Sequence, residues 1–149
     1  LEWRLQRGEP EMLVAFATED LATVNAHFGT CPSLVVHEVT PAASRLVATH
    51  AFPAAAEDGD EDKLGPRLAA LASCTILCTA AIGGSASARV RALGVHPAKV
   101  PDGTAIAEVL EQLRGVLAGT PPPWLRRALG RAGQPPLDSG PFEQQEVKP

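Results

Sequence analysis

His27-Phe28-Gly29-Thr30-Cys31 sets an imidazole and a thiol four positions apart in a short loop-like segment. A neutral imidazole suits iron and other borderline metals, and a thiolate suits iron-sulfur cores, so the pair could hold a soft metal centre from one side. A loop leaves both ligands within reach of a cluster too large to bury, and Gly29 lets the backbone come close to it. The plainer alternatives are a His27 that caps a turn or packs beneath Phe28, and a Cys31 that is a small buried hydrophobe. Ile82-Gly83-Gly84-Ser85-Ala86 is the second candidate. It leads from a strand into a helix start, where unpaired amides and the positive end of the helix dipole favour an anion. Its ordinary reading is a strand-to-helix turn with Ser85 as N-cap. It lacks the spacing of a phosphate loop or a dinucleotide fingerprint.

The other histidines carry less. His37 and His50 fall in neighbouring β-rich runs and read as sheet pair partners outside the site. His96, just ahead of Pro97, is held as a reserve ligand. Glu19, Asp20, Glu61 and Asp62 flank strands and helices, where carboxylates are ordinarily solvated or act on helix dipoles. No Ser-His-Asp order, paired-Cys metal motif or phosphate loop stands out, so the chain is not expected to be an enzyme.

These residues need a frame. Met12 to Ala17 reads as a first strand, and Ser33 to Val39 and Arg45 to Phe52 as two more, joined by a turn at Thr40-Pro41-Ala42-Ala43-Ser44. The three form an antiparallel hairpin or meander. Pro53 to Asp60 is a small, acidic surface loop. Leu64, Leu68 and Leu71 recur at helical spacing, with a regular start near Pro66 and an end near Ser73. A strand from Thr75 to Ala80 precedes a helix whose apolar face is Ala86, Val90 and Leu93, closed at Gly94. Val95 to Val100 is a further strand. Pro101-Asp102-Gly103-Thr104 then opens a helix with Ile106, Val109, Leu110, Leu113 and Leu117 on one face. The order predicts an α/β fold with a mixed sheet, antiparallel in its first half and joined by crossovers in its second. Residues 1–11 are expected as a flexible lead, 12–119 as the α/β domain, 120–132 as a short C-terminal helix and 133–149 as a disordered tail.

Composition narrows the function classes. The 149 residues fit one domain, with a core built from Leu, Val, Ile and Ala, because only four Phe, two Trp and no Tyr are present. A formal net charge of −4 gives no basic field for phosphate backbones, so nucleic acid is not an expected partner. No apolar run approaches the roughly 20 residues needed to cross a bilayer, and residues 1–4 lack a signal-peptide pattern. Cys74 and Cys78 read as strand residues sharing one face, about 13 Å apart and unable to bond. With an odd count of three cysteines this fits a reduced, cytoplasmic protein.

Val14-Ala15-Phe16-Ala17-Thr18, His27-Phe28-Gly29, Glu61-Asp62-Lys63-Leu64, Gly84-Ser85-Ala86, Ala92-Leu93-Gly94-Val95 and Pro123-Trp124-Leu125 together resemble the NifX-type carriers of nitrogenase iron-molybdenum cofactor biosynthesis. The resemblance runs in one unbroken order over residues 12–130. It implies a ribonuclease H-like sheet of five strands flanked by helices. It also implies a cargo, an iron-sulfur precursor cluster or the iron-molybdenum cofactor itself, passed between assembly proteins. The implied partners are the radical enzyme that makes the precursor, the scaffold complex that matures it, and apo-dinitrogenase. His27 is the implied metal ligand, with Phe28, Gly29, Gly83, Gly84 and Ser85 around the cofactor. Cys31 is a departure, since the family pattern does not demand a cysteine there. The rival expectation is a regulatory or small-anion-binding domain without metal, using the glycine turn. A hydrolase ranks last, because only Glu19 and Asp20 lie at suitable strand ends.

Overall fold

Met12–Thr18 forms the central strand β1, and its uninterrupted apolar run has a simple cause: both of its faces are covered. Side chains alternate across a strand, so Met12, Val14 and Phe16 enter one core while Ala15 and Ala17 enter another. A computed structural model describes residues 11–52 and 64–132. The remaining strands of the main sheet are β3 (Ser33–Val39), β4 (Ser44–Ala51), β5 (Ile76–Thr79) and β6 (His96–Lys99), in the order β4-β3-β1-β5-β6. β3 runs antiparallel to β1 and β4, whereas β5 runs parallel to β1 and β6 parallel to β5. The mixed five-stranded sheet expected from the sequence is therefore present. Two short strands, β2 (Thr23–Val24) and β7 (Thr104–Ala105), pair separately in antiparallel fashion.

Helices α1 (Leu64–Ala70) and α2 (Gly84–Ala92) lie over one face of the sheet, and α3 (Ile106–Ala118) and α4 (Pro123–Ala132) over the other. Ile106, Val109, Leu110 and Leu117 of α3 are buried at helical spacing, with Leu113 partly buried beside them. α4 adds Leu125, 1% exposed, to the same core. Burying a leucine contributes about 1.5–3 kcal/mol, and Trp124 and Leu129 pack partly buried against the same core.

Several expectations change. The strand at β5 begins at Ile76, so Cys74 lies in the turn after α1, its amide donating to the Leu71 carbonyl at 2.9 Å. Cys74 and Cys78 consequently sit in opposite cores rather than on one face. α1 starts at Leu64, ahead of Pro66, which the first turn of a helix accommodates. Leu93 is the C-cap of α2 and is 46% exposed, not part of the buried face. Gly94 follows it at φ 85°, a left-handed conformation that only glycine adopts without cost. The β2–β7 pair and the 3-10 turn at Phe28–Thr30 are additional. The lead over residues 1–10, the acidic loop at 53–60, Glu61-Asp62-Lys63 and the tail at 133–149 lie outside the described residues.

Candidate functional site at the carboxyl edge of the sheet

β1, β5 and β6 are parallel, so the connections that leave their carboxyl ends gather along one edge. Ligand sites of open α/β sheets form at such edges. From the end of β1 the chain passes through Thr18 to Asn25 and reaches His27, the N-cap of the 3-10 turn Phe28–Thr30. His27 has extended backbone, φ −80° and ψ 134°, and its Nδ1 accepts a hydrogen bond from the Gly29 amide at 3.0 Å. The ring is exposed. Phe28, fully buried, anchors the turn in the core beneath α1 and α2. His27 thus caps its own turn, as the plainer sequence reading allowed, while its ring faces solvent.

Backbone bonding attaches this turn to the second candidate segment. The Phe28 amide donates to the Ala81 carbonyl at 2.9 Å, and the Ala80 amide donates to the Ala26 carbonyl at 3.1 Å. The buried Thr79 hydroxyl lies between the same two segments, 3.0 Å from the Ala26 carbonyl oxygen and 2.9 Å from that of Ala81. His27 and Ala81 form a parallel bridge, which sets the imidazole turn directly beside the stretch leading to Gly83, Gly84 and Ser85. The N-cap of α2 is Gly83, not Ser85, and no side chain caps this helix end. Ser85 is exposed in the first turn. A methyl group built on Gly83 or Gly84 would meet nothing within 4 Å, so bare backbone faces open space.

Cys31 does not share that exposure. Its side chain is fully buried in the core under α1 and α2. Burial raises its thiol above the usual range, with the Arg67 guanidinium acting in the opposite sense. The expectation of a Cys31 ligand is corrected accordingly, because a buried protonated thiol is not offered beside the exposed His27 ring. Arg67, itself 6% exposed, reaches over from α1 to donate to the Cys31 carbonyl and lies 4.6 Å above the Phe52 ring.

The other histidines stand apart. His50 lies across from Leu34 and His37 across from Leu46, so the β3–β4 register does not pair them. His37 meets the edge of Phe16 instead, at 5.6 Å between ring centroids. His96 stacks on Trp124 at 4.0 Å, at the amino end of β6 and away from the His27 turn. Burial lowers the pKa of His96 from its ordinary value, with Arg91 adding to the effect.

The loop ahead of the site is organised by Asp20. Its carboxylate accepts from the Ala22 and Thr23 amides at 2.9 and 2.8 Å and from the Thr23 hydroxyl. These bonds hold its pKa down to about 2. Leu21 next to it takes φ 66° and is 54% exposed. The Glu19 amide donates to Asn25 Oδ1 at 2.7 Å, fastening the loop two residues before His27. Neither Glu19 nor Asp20 forms part of a metal-binding cluster, since among the described residues no three His, Cys, Asp or Glu side chains gather for that purpose. Among the described residues, the segments joined here bring an exposed imidazole beside a helix start that no side chain caps. Asn25, Thr79 and Arg67 were not singled out from the sequence. Their roles depend on partners that lie up to 53 positions away, and no local pattern marks them.

Comparison with known proteins covers most of the chain. Residues 10–115 match the family described as dinitrogenase iron-molybdenum cofactor. The chain is 48% identical over 132 residues to the protein NifX of Herbaspirillum seropedicae, covering 87% of this chain and 90% of that protein. It is 39% identical over 145 residues to the NifX of Rhodobacter capsulatus, covering 94% and 91%. A stretch of 88 residues is 31% identical to the FeMo cofactor biosynthesis protein NifB of H. seropedicae, covering 58% of this chain and 17% of that much longer protein. Among the described residues, no helix is long and apolar enough to cross a membrane.

Proposed function

This chain belongs to the dinitrogenase iron-molybdenum cofactor family, with NifX proteins among its relatives, and we propose that it carries a metallocluster during assembly of the nitrogenase cofactor. Membership of the family gives it a part in iron-molybdenum cofactor biosynthesis. The carrier role is our reading: the protein takes up an iron-sulfur precursor, or the mature cofactor, and passes it on.

The observation that carries this reading is the exposed His27 ring, fixed on its turn beside the uncapped start of α2. A carrier has to release what it holds. An open site with one side-chain contact and a few amides suits that need, because the cluster brings most of its own ligands and the recipient can outcompete a light grip. His27 is the principal contact, Gly83, Gly84 and Ser85 supply backbone at the positive end of a helix, and buried Phe28 with Gly29 shapes the turn. Donor and recipient are assembly proteins: the radical enzyme that forms the precursor, the maturation scaffold and apo-dinitrogenase. The likeness of the chain to part of the FeMo cofactor biosynthesis protein NifB supports a domain that handles the cluster during that biosynthesis.

The test is anaerobic addition of isolated iron-molybdenum cofactor to the purified chain, followed by gel filtration and iron analysis. Iron eluting with the parent protein, and reduced at least tenfold in His27→Ala, is the expected result. A parent chain that elutes free of iron overturns the carrier reading in favour of a small-anion module using the same helix start.

A further inference from the structure

A neutral imidazole has one N–H and one bare nitrogen, and the hydrogen bond at one nitrogen decides the state of the other. In His27 that decision is made locally. Gly29 N–H donates to Nδ1 at 3.0 Å, so Nδ1 holds the lone pair and the ring proton resides on Nε2. Among the described residues Nε2 has no hydrogen-bond partner, and the ring is exposed. A metal-bound histidine normally shows the reverse arrangement, with its second nitrogen donating a hydrogen bond. For Nε2 of His27 to coordinate a metal, the proton would have to move to Nδ1, where it would face the Gly29 N–H. Two donors would then oppose each other inside a two-residue ring, and the turn would have to open.

We infer that His27 meets its cargo as an Nε2–H hydrogen-bond donor to an acceptor on the cluster surface, a sulfide or an organic-acid carboxylate oxygen, and not as a metal ligand. The inference rests on the carrier reading and specifies its chemistry. The neighbouring groups agree in polarity, since the uncapped first turn of α2 beside the His27–Ala81 bridge also presents N–H groups. The edge therefore selects an anionic, acceptor-rich surface and makes no demand for an open coordination position on the metal. Ligation through Nε2 becomes available only when the Gly29 amide lets go.

Two measurements decide the matter. The first is long-range proton–nitrogen NMR on the full chain labelled with nitrogen-15 in histidine, the His27 signals being assigned by their loss in His27→Gln. An Nε2–H tautomer is expected, and a predominant Nδ1–H tautomer overturns the inference. This arm needs no cargo, so it is decided even if the chain fails to take up cofactor and the carrier reading falls. The second is cofactor affinity of the parent, His27→Ala and His27→Gln, with isolated iron-molybdenum cofactor as probe. The glutamine amide N–H reaches the place of Nε2–H but is a poor ligand for iron. One charge-assisted hydrogen bond is worth about ten- to a hundredfold in affinity. Glutamine within about fivefold of the parent and alanine at least tenfold weaker is the expected pattern, whereas glutamine as weak as alanine overturns it.

Discussion

The Arg67 guanidinium donates two hydrogen bonds to the Cys31 carbonyl oxygen, from Nε at 3.1 Å and Nη2 at 2.6 Å, and so fastens α1 to the residue that closes the His27 turn. A planar fork places two donors on one oxygen, which a lysine ammonium cannot reproduce. Arg67→Ala is expected to lower stability by about 2 kcal/mol or more, since it removes both donors from a buried carbonyl and the packing over Phe52. Arg67→Lys should recover less than half of that loss. Urea unfolding of the three proteins measures it, and an unchanged midpoint in Arg67→Ala would show that the clamp is dispensable.

Asp20 gives the loop before the site its acid tolerance. Its pKa falls from 3.8 to about 2 because the folded loop supplies the Ala22 amide, then the Thr23 amide, as donors to the charged form. A carboxylate with a depressed folded pKa contributes stability that is fully present above its unfolded value and is lost as pH falls through the folded one. The contribution of Asp20 to the loop should therefore be complete above pH 3.8 and fade as pH falls through about 2. The Ala22 and Thr23 amide shifts, followed by NMR during acidification, should titrate with a midpoint near 2, and a midpoint near 3.8 would contradict the assignment.

Gly84 separates folding from binding. Its Cβ position is open, and the first turn of α2 gains from alanine, so Gly84→Ala should raise stability by about 0.5 kcal/mol. The same methyl group would stand between the bare backbone and an approaching cluster. Weaker cofactor retention on gel filtration, combined with a higher unfolding midpoint, is the expected pair of results. Unaltered retention would remove the α2 start from the binding surface.

All three cysteines are free and buried. Burial pushes the Cys74 and Cys78 thiols up to about 12, and it raises Cys31 as well. The reactive thiolate is thus suppressed at neutral pH. A thiol reagent should modify none of them in the native protein within the time it takes to label all three in denaturant. Cys31→Ala should lose about 1 kcal/mol of stability through the small cavity it leaves, yet bind cofactor as the parent does. Fast native labelling at Cys31, read by mass spectrometry, would return that thiol to the list of ligands.

Much of this architecture is written in local pattern. Met12–Thr18 and Ser33–Val39 announce themselves by continuous apolar and β-branched content, and α3 by the spacing of Ile106, Val109, Leu110 and Leu117. The β2–β7 pair does not, because two-residue strands carry no period and their partners stand 80 and 82 positions apart. The faces of Cys74 and Cys78 depended on where β5 begins, because Cys74, two residues ahead of it, lies in a turn that does not follow the alternation of the strand. Ser85 looked like a cap on composition alone, while the helix starts one residue earlier, at Gly84.

The candidate site divides in the same way. By itself the sequence determined the family, the order of the five main strands and the helices between them, and the presence of an imidazole two positions before a glycine, because those follow from residue type and near-neighbour spacing. Only the tertiary structure decided that His27 stands in solvent while Cys31, four positions on, is sealed in the core. It alone brought the turn against Ala81, through backbone bonds to the segment that follows β5, more than 50 residues distant. The physical reason is that exposure and hydrogen-bond direction are set by what packs around a residue. Those neighbours are chosen by sheet pairing and helix docking across the whole chain.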